Sequence, residues 1–259
     1  MTKPETADKQ SEDFAEMPLM EHLMELRQRL LRMVMAILIV FASLFYWATD
    51  LYHFIAMPLL AAIPNSSSMI ATDVLANFFT PFKLTMVLSI FITMPYLLSQ
   101  IWAFIAPGLY THEKRLAVPL MVSSTLLFYC GLAFAYYVVF PLAFGFLAAI
   151  ELQGVQTMPD ISSYLNTVLK LFFAFGITFE IPVAVILLVK MGLTTQESLR
   201  AKRPYIIVGV FIIGMLLTPP DIISQTLLAI PMWALYEVGV YFAGFVTARE
   251  KEEPGDTPA

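Results

Sequence analysis

Three glutamates are the residues from which this chain could build chemistry. Glu180 sits in Phe172-Phe-Ala-Phe-Gly-Ile-Thr-Phe-Glu-Ile-Pro182, about midway along an apolar run. Within a membrane, a charge at that depth costs at least ~2.5 kcal/mol. Its side chain is therefore expected to face protein. The functional reading is a polar point touching a partner helix or a translocating polypeptide; the bland one is a carboxyl hydrogen-bonded to a neighbouring span. Glu25 lies in Glu21-His-Leu-Met-Glu-Leu-Arg-Gln-Arg-Leu30, an amphipathic stretch with Leu19, Leu23, Leu26 and Leu30 on one stripe. Glu113 follows Phe104-Ile-Ala-Pro-Gly-Leu-Tyr-Thr-His112. Carboxylates held on neighbouring rigid elements suit bidentate recognition of guanidinium groups. Equally, Glu25 could pair with Arg29 at i,i+4, and Glu113 with Arg115 or water.

The elements that must position these residues are read from hydropathy and charge together. With 59% apolar residues, 14% charged residues and a mean hydropathy of +0.75, the chain has a membrane composition. Apolar spans are predicted at about 30–49, 82–104, 116–140, 164–190, 205–217 and 223–246. A polar tail (1–18) precedes the membrane domain (19–246), and a second (247–259) follows it. Of the 15 Lys and Arg residues, 13 fall in segments 1–32, 105–118, 190–204 and 247–259. The alternate segments carry acids instead. Short basic loops stay in the cytoplasm, so both termini are expected inside. The fold class is thus all-α: a polytopic membrane protein of six transmembrane helices, kinked by prolines into a concave body.

The fifth span, Tyr205 to Leu217, is expected to reach only about 20 Å against about 30 Å of hydrocarbon. Thr218-Pro-Pro-Asp221 then forces a tight turn, because tandem prolines cannot continue a helix. Such a short hairpin suits a protein-binding edge. Pro95, Pro119, Pro182 and Pro231 are expected to kink their helices. In the long first outer loop, Leu51–Leu60 and Met69–Phe79 are expected to form short helices along the outer face. Lys83 and Lys170, near outer span ends, can snorkel to the interface.

Other chemistries find little support. The single cysteine, Cys130, allows no intrachain disulfide and is expected to be a small packing residue. His22, His53 and His112 are scattered over two sides, so no metal site and no cofactor is expected. No Gly-Lys-Ser/Thr phosphate loop occurs, and nothing suggests nucleic-acid binding. The polar first eighteen residues do not read as a cleaved signal.

Three blocks carry a family resemblance: His22 to Leu30, Trp102-Ala-Phe-Ile-Ala-Pro-Gly-Leu-Tyr-Thr-His-Glu-Lys-Arg115, and Thr218-Pro-Pro-Asp-Ile-Ile-Ser-Gln-Thr-Leu-Leu-Ala-Ile-Pro231. In order and spacing they resemble the signature blocks of the TatC family, receptor cores of the twin-arginine translocase. The resemblance covers about residues 15–246 and implies a function without catalysis. A cytoplasmic surface would bind the Arg-Arg pair of a signal peptide, with Glu25 and Glu113 as carboxylates and Arg27 and Phe104 shaping the surface. Glu180 would lie in the concave groove. Met215, Thr218 and Gln225 would dock single-span TatA- and TatB-type partners. The resemblance further implies a bacterial inner-membrane location, homo-oligomeric receptor assemblies in lipid, and folded cargo exported under the proton-motive force. Lys114 departs from the family, which often has arginine there.

The rival reading is a proton-coupled small-solute transporter using Glu180, against which no internal repeat pairs the two halves. An intramembrane hydrolase is weaker still, with no His in a span and no Gly-x-Ser-x-Gly elbow.

Overall fold

A computed structural model describes residues 6–62, 69–105, 114–149, 158–217 and 222–252. Among these, the regular structure is helical apart from one isolated bridge, between Ile70 and Asp160. The helices are α1 (Thr6–Leu44), α2 (Ala48–Ala62), α3 (Ala76–Ile105), α4 (Lys114–Phe134), α5 (Phe140–Ala149), α6 (Ile161–Thr178), α7 (Ile181–Lys190), α8 (Gln196–Ala201), α9 (Arg203–Leu217) and α10 (Ile222–Glu252). Five helical runs are long and apolar enough to cross a membrane, and α9 adds a shorter apolar helix of 15 residues. The chain is an all-α polytopic membrane protein.

Every backbone group of a span must be satisfied within it, and that requirement explains the uninterrupted helices. Pro95 and Pro231 lie inside α3 and α10 without ending them, and Pro119 falls early in α4. The fourth span behaves differently. It stops at Thr178, turns through Phe179 and Glu180, and restarts as α7 with Pro182 in its first turn. There the missing proline donor is harmless. A second irregularity, the π-helical turn Ala135–Val139 between α4 and α5, is followed two residues on by Pro141, whose missing donor and ring disturb the preceding turn of helix.

The segment between α1 and α3 corrects one expectation and meets the helical part of another. Leu51–Leu60 is helical, as part of α2, joined to α1 through a single 3-10 turn at Phe45–Trp47. Met69–Phe79 forms no helix of its own. Ile70 instead pairs with the residues just before α6, where its amide donates to Pro159 O at 3.0 Å and its carbonyl accepts from the Ile161 amide at 2.9 Å. The last residues of the run already belong to α3, and Thr80 and Ser162 are hydrogen-bonded at 3.0 Å. Two loops that hydrogen-bond to each other satisfy backbone groups that a lone helix would leave to water.

The core lies where α3, α4, α5 and α6 meet. Phe91 packs edge-on against Phe128, Phe172 and Phe173, while Phe140 meets Phe172 at 4.9 Å between ring centroids. Offset and edge-on rings add to plain area burial. Two tyrosines tie the layer together: buried Tyr164 donates to Ile55 O at 2.7 Å and half-buried Tyr136 to Phe54 O at 3.0 Å, fastening α2 onto α6 and the π turn. Helices α4 and α6 approach closely through small residues. A Cβ on Gly131 would stand 2.6 Å from Phe175 O, and one on Gly176 2.7 Å from the Phe128 ring. This is the usual device of helix contacts in lipid.

Cys130 departs from its expected packing role and is exposed. At about 100° per residue, Phe128 and Gly131 share the packed face of α4, and Cys130 points away from both.

Candidate functional site

The region around Glu25 is built by two helices. α1 carries Glu25 and Arg29 one turn apart, so their side chains stack on one face. Arg29 Nε and Nη2 both donate to Glu25 Oε1, at 2.9 and 2.6 Å. Arg29 Nη1 reaches Gln100 Oε1 on α3 at 3.2 Å, and Nη2 lies 3.5 Å from Ala103 O. A guanidinium thus joins α1 to the C-terminal end of α3, where unsatisfied carbonyls favour a cation. The Glu25 side chain remains 40% exposed. Among the described residues, no hydrogen bond occupies its Oε2. Arg27 is exposed, and Phe104 is half-buried one residue beyond Ala103. Glu113 lies outside the described residues.

Glu180 stands at the break in the fourth span. It occupies the cap position of α7, but its carboxylate makes no capping bond. Among the described residues, its Oε1 is buried with no hydrogen-bond partner. The buried Ser124 hydroxyl of α4 is its polar neighbour. Burial of this carboxyl against protein agrees with the expectation from hydropathy.

The α9–α10 hairpin carries the third group. Gln225 Nε2 donates to Phe211 O at 2.7 Å, and the backbones draw close enough that a Cβ on Gly214 would stand 3.2 Å from Gln225 Cγ. Gln225 therefore braces the hairpin. Met215 points outward, 51% exposed. Thr218 lies outside the described residues. The structure thus brings Glu25 up to the neighbourhood of Phe104, while Glu180 and the hairpin form separate features.

Three polar arrangements escaped the sequence reading. Gln100, the residue that Arg29 reaches across to, has no signal in a single sequence. Glu237 in the last span pairs with Arg203 at 2.5 Å, while Arg203 Nε and Glu237 Oε1 are buried without partners. An acid inside the span 223–246 was the available clue. Finally, Lys83 donates to Asn166 Oδ1 at 2.5 Å across α3 and α6, at the mouth of a cavity of about 820 Å³. No group of three or more potential metal ligands occurs among the described residues.

Comparison with known proteins adds independent findings. The family model described as Sec-independent protein translocase protein (TatC) matches residues 21–231. The chain is 58% identical over 238 residues to the TatC protein of Escherichia coli strain K12, covering 91% of this chain and 92% of that one. It is 56% identical over 244 residues to that of Azotobacter chroococcum, covering 94% and 96%. A crystal structure described as the twin arginine translocase receptor TatC superposes with a TM-score of 0.77 at 38% identity, over 87% of this chain and 99% of that one.

Proposed function

The chain belongs to the TatC family of Sec-independent protein translocase proteins, and from that premise we propose that it is the signal-peptide receptor of a twin-arginine translocase. As a translocase component it is a membrane protein of protein transport. The finer reading has three parts. The surface formed by Glu25, Arg27, Phe104 and Glu113 reads the Arg-Arg pair of a signal peptide at the cytoplasmic face, with both termini inside. Met215, Thr218 and Gln225 on the α9–α10 hairpin dock TatA- and TatB-type single-span partners. Several such receptors assemble in the bacterial inner membrane, and folded cargo crosses under the proton-motive force.

The observation that carries the reading is the clamp on Glu25. Its carboxylate already holds one guanidinium through Oε1, and among the described residues no bond occupies Oε2, beside the end of α3. A second guanidinium, supplied by a peptide, would meet a carboxylate whose rotamer is fixed by Arg29, so little ordering is left to oppose binding. Glu180, with Ser124 as its one polar neighbour among the described residues, gives the apolar part of a signal peptide or a partner helix one polar point to touch.

Photo-crosslinking from position 113 to a twin-arginine signal peptide in inside-out membranes tests the proposal. The expected adduct disappears when both peptide arginines become lysine. An adduct indifferent to that exchange would remove guanidinium recognition from this surface. In a parallel binding titration, Glu113→Ala is expected to weaken the peptide by about 1.5–3 kcal/mol, the worth of one charged hydrogen bond; unchanged affinity would exclude Glu113.

A further inference from the structure

The cavity of about 820 Å³ between α3, α6 and α9 has a divided lining. One end carries Lys83, Asn166 and Lys170; the walls beyond it are apolar, with Phe173, Ile177 and Leu217 among them. The polar end lies within the first three turns of α3 and α6, toward the outer ends of those spans in the positive-inside topology, so the lysines reach the headgroup level by snorkelling.

We propose that this cavity binds an anionic phospholipid of the outer leaflet, with its phosphodiester at Lys83 and Lys170 and an acyl chain along α6 and α9. Both lysines are exposed, and neither has an ion-pair partner among the described residues. Asp160, at the start of the same α6, is committed to Thr72 and Ser163. Asn166 accepts from Lys83 through Oδ1, leaving its amide NH₂ as a third donor facing the headgroup. Lysine is a strongly hydrated point charge suited to phosphate. In an outer leaflet, two such charges above an apolar slot match the chemistry of a lipid that is anionic at one end and hydrocarbon at the other.

Size separates this occupant from a partner helix. A bare helix about 10 Å across would place only about 10 Å of its length in such a volume, some two turns, far short of a span. The volume does fall within the about 300–1,000 Å³ typical of small-ligand sites. The inference does not depend on signal-peptide recognition.

The test is native mass spectrometry of the full chain released from detergent with phosphatidylglycerol or phosphatidylcholine of matched tails. Retention of phosphatidylglycerol is expected to exceed that of phosphatidylcholine by about thirtyfold, as two surface cations would give. The double variant Lys83→Gln, Lys170→Gln is expected to bring the two lipids level, while Lys83→Arg, Lys170→Arg keeps the preference. Ala174→Trp, which fills the apolar walls, is expected to lower retention of both lipids. Both lysines are exposed, so the paired variants are expected to elute and melt as the wild type does. Equal retention of phosphatidylglycerol by the wild type and the double Gln variant would overturn the proposal. So would retention that Ala174→Trp leaves unchanged, or a single-span partner crosslinked from position 174 with no phosphatidylglycerol retained.

Discussion

The carboxylate of Asp160 accepts from the Ser163 amide at 2.9 Å, the Thr72 amide at 3.1 Å and the Thr72 hydroxyl at 2.9 Å. It caps α6 and pins the segment before α3 to it. These donors hold its pKa down to about 2, with the Ser163 amide acting most and the Thr72 amide next. A carboxyl depressed in the folded state stabilises it above the unfolded value, about 4, and the gain is lost as pH falls toward 2. Thermal melts in detergent are therefore expected to show an acid limb between about pH 4 and 2 that is shallower in Asp160→Ala. An identical limb in the variant would deny the capping role. Glu25 shows the converse limit of residue-level reading. Its i,i+4 pairing with Arg29 is legible in the spacing, but the reach of that arginine to Gln100 is not. A side chain 71 positions away is brought near only by the packing of α1 on α3.

At the scale of elements, close helix approach and hairpin exposure make separate predictions. Gly131 leaves no room for a side chain against the Phe175 carbonyl, which is backbone and cannot swing aside. Gly131→Val is therefore expected to destabilise the α4–α6 contact by about 1–3 kcal/mol, the usual cost of overpacking. A lowered detergent melting temperature would register it; an unchanged one would show that the helices slide apart freely. On the hairpin, Met215 is exposed while Gln225 is occupied internally. Met215→Lys should thus abolish co-purification of single-span partners while membrane insertion stays normal. Recovery of the partner at wild-type yield would place docking on another edge. The break at Phe179–Glu180 was readable only in part. Pro182 signalled an irregularity there, and Pro141, two residues beyond the π turn at Ala135–Val139, marks that one in the same way, but neither proline fixes the form the break takes.

For the whole molecule, the basic segments set an orientation that a topology experiment can read. A fluorescent protein that matures only in the cytoplasm, fused after Ala259, is expected to glow, and alkaline phosphatase at the same point to stay inactive. The reverse pattern would turn the chain over and move Glu25 and Arg27 to the other side. The same orientation assigns Lys83 and Lys170 to the outer leaflet, so the lipid proposal and this test share one premise.

Hydropathy alone determined that the chain is helical and crosses a membrane, because a hydrocarbon interior permits few other ways to satisfy the backbone. Charge asymmetry implied its orientation, and three short blocks carried the family. Only the tertiary structure decided which polar groups meet. It set Arg29 against α3, Glu237 against Arg203, and Thr72 against Asp160, and it opened the cavity between Lys83 and Lys170. The physical reason is one of range. Burial and capping act within a few residues and leave a periodic mark. Hydrogen bonds between helices depend on the rotation and crossing of each pair, which no local pattern encodes.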